Sequence, residues 1–86
     1  MRITKPIPET APLLVLKELI EAIENGEFPQ KVKSFRKQHG LSQTQLAQKV
    51  RVSLRTIQRW ESGESKPHGA SLFLLANLMS ELEMGV

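Results

Sequence analysis

The charged side chains best placed to do chemistry are concentrated in the middle of the chain. Residues 31–66 hold nine of the twelve Lys and Arg residues and two of the nine Asp and Glu residues, a local net charge of +7. Residues 1–30 and residues 67–86 each sum to −2, so the overall charge of +3 averages unlike parts. A concentrated positive block attracts polyanions. This pattern predicts either a polyanion-binding module between acidic flanks or the solvated surface of charged helices.

Catalytic and metal-binding chemistry has no comparable support in the sequence. The chain contains no Cys, which excludes a disulfide framework, a thiolate zinc site and a cysteine nucleophile. His39 and His68 are 29 residues apart, and no recognisable motif supplies either with a second ligand or a catalytic partner. Gly63 and Gly69 lack the spacing of a phosphate-binding loop. We therefore expect no enzyme activity, no catalytic residue, no metal and no cofactor.

The length of 86 residues restricts the chain to one small domain, which leaves little room for a deep substrate cavity. No apolar run approaches the roughly 20 residues that a membrane span needs. Prolines at positions 6, 8 and 12 interrupt the N-terminus, which argues against a secretory signal. We expect a soluble cytoplasmic protein with no membrane partner.

The elements that must position the basic residues are all helices. Apolar residues recur at helical spacing, strand-like alternation is absent, and Pro, Gly, Ser and Thr residues mark the helix boundaries, so an all-α fold is predicted. Ser42 and Gln45 fit a capping box. The five predicted helices take residues 11–24 after a cap at Thr10, about 29–39, 43–50 after a cap at Ser42, 54–62 after a cap at Ser53, and about 70–82.

The apolar stripe of each predicted helix identifies its expected inner face. On the first helix Leu13, Leu16, Ile20 and Ile23 recur at helical spacing, and Leu19 widens the stripe. This stripe needs cover from its own domain or from another chain. The expected core residues of the other helices are Val32, Phe35, Leu46, Ala47, Val50, Ile57, Trp60, Leu72, Leu75, Ala76 and Met79.

Residues 43–62 predict two short helices that are joined by a tight turn. Ala47 is small where the two helices cross, and it permits a close approach. Ile57 and Trp60 share one face, which fixes the second helix on the core. This packing scheme is that of a helix-turn-helix, whose second helix can enter a DNA major groove about 12 Å wide.

Several short motifs, in order and at fixed spacing, resemble the Cro and phage-repressor helix-turn-helix family, also called the XRE type. The resemblance covers residues 32–79 and implies a compact, repressor-like five-helix domain, here preceded by an extended N-terminal arm. The motifs are Gly40-Leu41-Ser42-Gln43, Leu46-Ala47, Val52-Ser53, Thr56-Ile57, Trp60-Glu61-Ser62-Gly63 and Pro67.

One residue departs from the family pattern. The family usually has Gly at the turn position that is Arg51 here, because this residue adopts a left-handed conformation. A residue with a Cβ raises the free energy of that conformation by around 1 kcal/mol. Arg51 either contacts a DNA phosphate in exchange or is a strained, solvent-exposed side chain.

The resemblance implies that outward residues of the second helix, residues 53–62, meet base edges. Here these are Leu54, Arg55 and Arg59, with Thr56 at the edge of the face. Arg matches guanine O6 and N7, and Leu54 can meet a thymine methyl group. Arg55 and Arg59 are four residues apart and therefore lie on one face. The alternative is that both arginines only coat a solvated helix.

The resemblance also implies phosphate contacts, first of all at the start of the preceding helix. Gln43 lies there, and the backbone N–H groups of a helix N-terminus attract phosphate. An ordinary polar residue in the first turn is the alternative. Lys31, Lys33 and Lys37 are either backbone contacts or solubilising charges. The full set of predicted phosphate contacts is Ser42, Gln43, Lys49, Arg51, Ser53 and Lys66.

Two residues inside the basic block are expected to be structural. Glu61 would repel DNA if it faced the groove, and the family pattern pairs it with an Arg on the first core helix, here Arg36. Trp60 shares a face with Ile57, which favours a core position over a base-stacking platform.

The predicted domain organisation is an arm of residues 1–10, an amphipathic helix and linker of residues 11–28, and a helix-turn-helix domain of residues 29–86. The implied function is sequence-specific binding of a double-stranded DNA operator by a homodimeric transcriptional repressor. Residues 11–24 and the tail, residues 80–86, are the candidate dimer surfaces. The alternative is an antitoxin that neutralises a small toxin protein and represses its own operon, because the arm and the acidic apolar helix suit a basic partner. The first helix could instead simply cover the core.

Overall fold

Residues 11–83 are described by a computed structural model, and they form five α-helices without a β-strand. The predicted arm, the Thr10 cap and residues 84–86 lie outside this range. No helix within it is long and apolar enough to cross a membrane. The all-α, five-helix prediction is confirmed. The helices are α1 (Ala11–Asn25), α2 (Phe28–Gln38), α3 (Gln43–Val50), α4 (Leu54–Ser62) and α5 (Gly69–Glu83).

Side-chain caps set the starts of α3 and α4, as predicted. The Ser42 hydroxyl accepts a hydrogen bond from the backbone N–H of Gln45 at 3.0 Å, and the Ser42 N–H donates to Gln45 Oε1 at 2.8 Å. These reciprocal bonds are the expected capping box. Ser53 accepts from the N–H of Thr56 at 3.0 Å. Both caps satisfy N–H groups that a helix leaves unpaired at its first turn.

Left-handed residues end the same two helices. Arg51 follows α3 with φ 64° and ψ 43°, and within residues 11–83 it is the one non-glycine residue with positive φ. The left-handed conformation expected at this position is therefore confirmed. Gly63 follows α4 with φ 84° and ends it at the predicted residue.

The core is centred on α4 and the helices around it. Trp60 is 2% exposed, and its ring packs edge-on against that of Phe28 with 5.9 Å between the ring centroids. The core position predicted for Trp60 is confirmed. The other expected core residues of α2 to α5 are buried as well, except that Leu72 is half-buried at the core margin.

The inner face of α1 differs from the predicted stripe. α1 packs chiefly against α5 and also touches α2. Leu13 and Ile20 are 58% and 40% exposed, so the domain leaves this part of the stripe uncovered, and Leu16 and Ile23 lie half-buried at the margin. Apolar residues cover more than half of the helix circumference, and the edge of this apolar surface that includes Ala11 and Ala22 is the one that is buried. The buried residues are Ala11, Val15, Leu19 and Ala22.

Candidate nucleic-acid interface

The outer face of α4 is open to solvent. Ile57 and Trp60 hold the opposite side of this helix in the core. Arg55 and Arg59 are exposed, and Leu54 is 40% exposed. The three residues predicted to contact bases directly therefore lie together on a helix face that a groove can receive.

Thr56 lies at the edge of this face and takes part in the helix cap. Its side chain is half-buried, and its hydroxyl oxygen is 2.9 Å from that of Ser53. The Ser53 side chain is exposed, although its hydroxyl is also occupied by the cap. Both hydroxyls are thus already hydrogen-bonded within the chain.

Gln58 belongs to the same open face, and the sequence reasoning missed it. The side chain is exposed, four residues after Leu54 and three after Arg55. That helical spacing was the signal that could have found it. A Gln amide is complementary to adenine N6 and N7, and Gln58 presents such an amide beside the two exposed arginines.

The start of α3 lies beside the end of α4. The half-buried Gln43 side chain donates a hydrogen bond from Nε2 to Glu61 Oε1 at 3.0 Å. Ser42 is exposed next to it, with its hydroxyl in the capping box. This junction gathers two of the predicted phosphate contacts. The other predicted phosphate contacts on α3 and the loops are exposed: Lys49, Arg51 and Lys66.

Arg36 and Glu61 form the expected ion pair. Arg36 Nε lies 2.6 Å from Glu61 Oε2, and Arg36 Nη2 donates to Glu61 Oε1 at 3.1 Å. Arg36 Nη1 also donates to the Leu41 carbonyl at 3.1 Å, so one guanidinium ties α2 to the turn before α3 and to α4. The two side chains are 13% and 4% exposed, which confirms a structural position away from solvent.

The environment of this pair favours both charges. Burial alone raises the pKa of Glu61, but hydrogen bonds from Arg36 and Gln43, with the positive charges of Arg36 and Lys33, lower it below its ordinary value of 4.5. The hydrogen bond to Glu61 raises the pKa of Arg36 despite the opposing effect of burial. Glu61 is therefore an anion that is neutralised inside the fold.

A second acidic residue lies beside the predicted base contacts. Glu64 Oε1 is 3.7 Å from Arg59 Nε, and both side chains are well exposed. The Glu64 N–H donates to the Arg59 carbonyl at 2.9 Å, which fixes the backbone of Glu64 one turn beyond Arg59. The sequence reasoning assigned no role to Glu64, although the helix end that it predicted at Gly63 is the local feature that brings Glu64 back to Arg59.

A comparison with known protein families identifies the domain. The helix-turn-helix family model matches residues 32–81, more than half of the chain. The chain belongs to the XRE-type helix-turn-helix family. The match begins on α2, contains all of α3 and α4, and ends on α5. No curated protein and no solved structure matches the chain.

As an XRE-type helix-turn-helix protein, the chain is a DNA-binding transcriptional regulator. In the family's motif α3 is the first helix and α4 is the recognition helix. Within residues 11–83, no group of three or more His, Asp or Glu residues is placed to hold a metal ion. The basic block, residues 31–66, contains the whole helix-turn-helix, α3 and α4.

Proposed function

We propose that this protein binds a specific operator in double-stranded DNA and represses transcription in the cytoplasm. α4 enters the major groove with Leu54, Arg55 and Arg59 against base edges and Thr56 at the margin. The observation that carries this proposal is the open face of α4, where both arginines stand opposite the buried Ile57 and Trp60. The proposed phosphate contacts are Ser42, Gln43, Lys49, Arg51, Ser53 and Lys66.

The operator is bound by a homodimer, because one helix-turn-helix reads only a few base pairs. α5 supports this part of the proposal: it is apolar around most of its circumference, and Phe73 and Leu82 remain 50% and 37% exposed. A helix of that composition is normally buried. Phe73 and Leu82 are nine residues apart and lie on opposite sides of α5, so we place the dimer contact at Phe73, the more exposed of the two.

Selection of bound sequences from a random DNA pool tests the proposal. We expect a palindromic consensus whose half-sites are about one helical turn apart. Arg55→Ala and Arg59→Ala should each weaken binding to that consensus by about 1–3 kcal/mol, or roughly 5- to 150-fold. Lys17→Ala, on α1, is the control and should leave binding unchanged. A pool without enrichment would overturn the proposal, and unchanged affinity in both arginine variants would overturn the assigned face.

A phosphate contact has a different signature from a base contact. Lys49→Ala should weaken binding to all sequences alike and reduce the slope of log affinity against log salt by about 1, because one fewer counterion is released. Arg55→Ala should in addition relax the preference at one base position. Equal effects of the two variants on every sequence would contradict the assignment of Lys49 to a phosphate and of Arg55 to a base.

One surface favours a second candidate function, that of an antitoxin. α1 exposes Leu13, Leu14 and Ile20 to solvent, at 58%, 59% and 40%. Glu18, Glu21 and Glu24 are exposed on the same helix, which makes the surface both apolar and acidic. Such a surface is complementary to a basic protein with an apolar patch, such as a small nuclease toxin.

Co-expression with the product of the adjacent gene tests the antitoxin function. A small basic toxin encoded there should copurify with this protein, and Leu14→Gln with Ile20→Gln should abolish copurification while DNA binding is retained. Leu82→Gln is the control, because it changes an exposed apolar residue on α5 that lies on the side opposite to the proposed dimer contact at Phe73. Failure to copurify would count against the antitoxin and leave the DNA-binding proposal intact.

A further inference from the structure

The hydrogen bond between Gln43 and Glu61 adds a donor to an ion pair that is already bidentate. Arg36 already binds both oxygens of the Glu61 carboxylate, at 2.6 and 3.1 Å. Gln43 Nε2 adds a third donor on Oε1 at 3.0 Å. Glu61 is thus a buried acceptor that receives hydrogen bonds from Arg36 on α2 and from Gln43, the first residue of α3.

A carboxylate partner fixes how the Gln43 amide is turned. Glu61 carries only acceptors, so the nitrogen of the amide, not its oxygen, must face it. One of the two Nε2 hydrogens is used in this bond. No other hydrogen bond of this side chain occurs within residues 11–83, so the second Nε2 hydrogen remains available for an acceptor from outside the chain.

We propose that Glu61 is a positioning residue for DNA binding, which acts through Gln43. It holds the Gln43 amide so that the free Nε2 hydrogen points at a DNA phosphate oxygen at the start of α3. This inference rests on the proposed function, because Gln43 must contact phosphate for Glu61 to matter. The Gln43 side chain is already ordered in the free protein, so DNA binding costs less side-chain rotamer entropy.

The direction in which Glu61→Gln changes DNA affinity distinguishes positioning of Gln43 from simple electrostatics. Glu61→Gln removes a negative charge near the DNA, which by charge alone strengthens binding. It also leaves a single side-chain oxygen for which Arg36 and Gln43 compete. We expect about three- to tenfold weaker binding to the selected operator, similar to the loss of one ordinary hydrogen bond. Stronger or equal binding would overturn the proposal.

A double-mutant cycle excludes a merely structural role. Gln43→Met keeps the side-chain length, removes the amide and should weaken operator binding about tenfold without changing the salt slope, since a neutral contact releases no counterion. In that background Glu61→Gln should cause no further loss. An equal loss in both backgrounds would mean that Glu61 acts only through the fold. Circular dichroism at the assay temperature checks that every variant is folded.

Gln43→Asn keeps the proposal testable if Glu61→Gln does not fold. Asn retains the amide but is one methylene shorter, and it leaves the Arg36–Glu61 pair untouched. An amide that cannot reach Glu61 and phosphate together should bind operator as weakly as Gln43→Met. Wild-type affinity in Gln43→Asn would overturn the positioning role.

A measurement on the protein without DNA tests the hydrogen bond itself. In a ¹H–¹⁵N correlation spectrum one of the two Gln43 Nε2 hydrogens should be shifted downfield of its position in exposed Gln side chains and should exchange slowly with solvent, and both features should persist on the operator. A shift and an exchange rate equal to those of exposed Gln side chains, or loss of the bond on DNA, would overturn the inference alone. A wild-type protein that selects no DNA sequence would overturn both the proposed function and this inference.

Discussion

Arg51 and Gly63 adopt the same left-handed backbone conformation at the ends of α3 and α4, with φ 64° and 84°. Only Gly adopts it without a steric penalty. We expect Arg51→Gly to raise the free energy of unfolding by about 0.5–1 kcal/mol, after the added entropy of the unfolded chain is subtracted. Gly63→Ala should lower it by about 1 kcal/mol through strain alone, because a Cβ there meets Pro29 Cγ at an ordinary 3.7 Å.

Urea unfolding of Arg51→Gly and Gly63→Ala measures these two changes in the free energy of unfolding. Lys49→Gly is a suitable control, because Lys49 is exposed inside α3 and Gly destabilises a helix interior by about 1 kcal/mol. Equal destabilisation by Arg51→Gly and Lys49→Gly would show that Arg51 is not strained.

Glu64 lowers the positive charge that Arg59 offers to DNA. Removing this carboxylate by Glu64→Gln should raise affinity for DNA of any sequence about two- to fivefold, the range of an exposed ion pair. Discrimination between operator and random DNA should fall, because Arg59 becomes free to bind phosphates. Titration of both DNAs measures the effect. Glu81→Gln, an exposed carboxylate on α5, should change neither affinity.

The Arg36–Glu61 pair acts between elements, because it joins α2, the turn before α3 and α4. The pKa of Glu61 is lowered in the folded protein, so between the folded and unfolded values the unfolded chain binds more protons. The stability that Glu61 contributes is complete above its ordinary pKa of 4.5 and is lost as pH falls through the lower folded value.

A comparison of wild type with Glu61→Gln reveals this dependence. The difference in their free energies of unfolding should be constant above about pH 5 and should shrink as the solution is made more acidic. Urea unfolding at a series of pH values provides the measurement. A difference that is the same at pH 3 and pH 7 would contradict the lowered pKa.

Helix boundaries were predictable because they are set by local chemistry. Each cap acts within a few residues of the boundary that it sets. The Ser42–Gln45 capping box, the Ser53 cap and Gly63 are all at their expected places. The Gln43–Glu61 bond was not predictable, since its two residues are 18 positions apart and meet only when α3 packs on α4. The sequence suggested the Arg36 pair only through the resemblance to a family.

The whole molecule closes by packing α1 on α5, the two helices farthest apart in sequence. Spacing alone did not identify the face of α1 that makes this contact. Leu19→Ala should lower the free energy of unfolding by about 2–5 kcal/mol, because Leu19 is fully buried. Leu13→Ala, at 58% exposure, should change it by no more than about 0.5 kcal/mol. Similar losses in thermal or urea unfolding would contradict the described orientation of α1.

Charge and apolar surface are separated across the molecule. The basic block lies on α2, α3, α4 and the segments that follow α3 and α4, whereas α1 carries exposed acids and leucines and packs chiefly on α5. A protein bound to α1 would therefore leave the recognition helix free. DNA and a second partner could occupy this small domain together.

The pairing of the first and last helices also sets an order of events during synthesis. α1 leaves the ribosome a few seconds before α5, at about 5–20 residues per second, so its apolar side stays uncovered through that interval. A nascent chain that is broken off before α5 keeps this side exposed. We expect such fragments to be captured by chaperones or cleaved rapidly by proteases, whereas chains that include α5 resist both. Contact between α1 and α5 would thus mark the point at which this domain can cover its core.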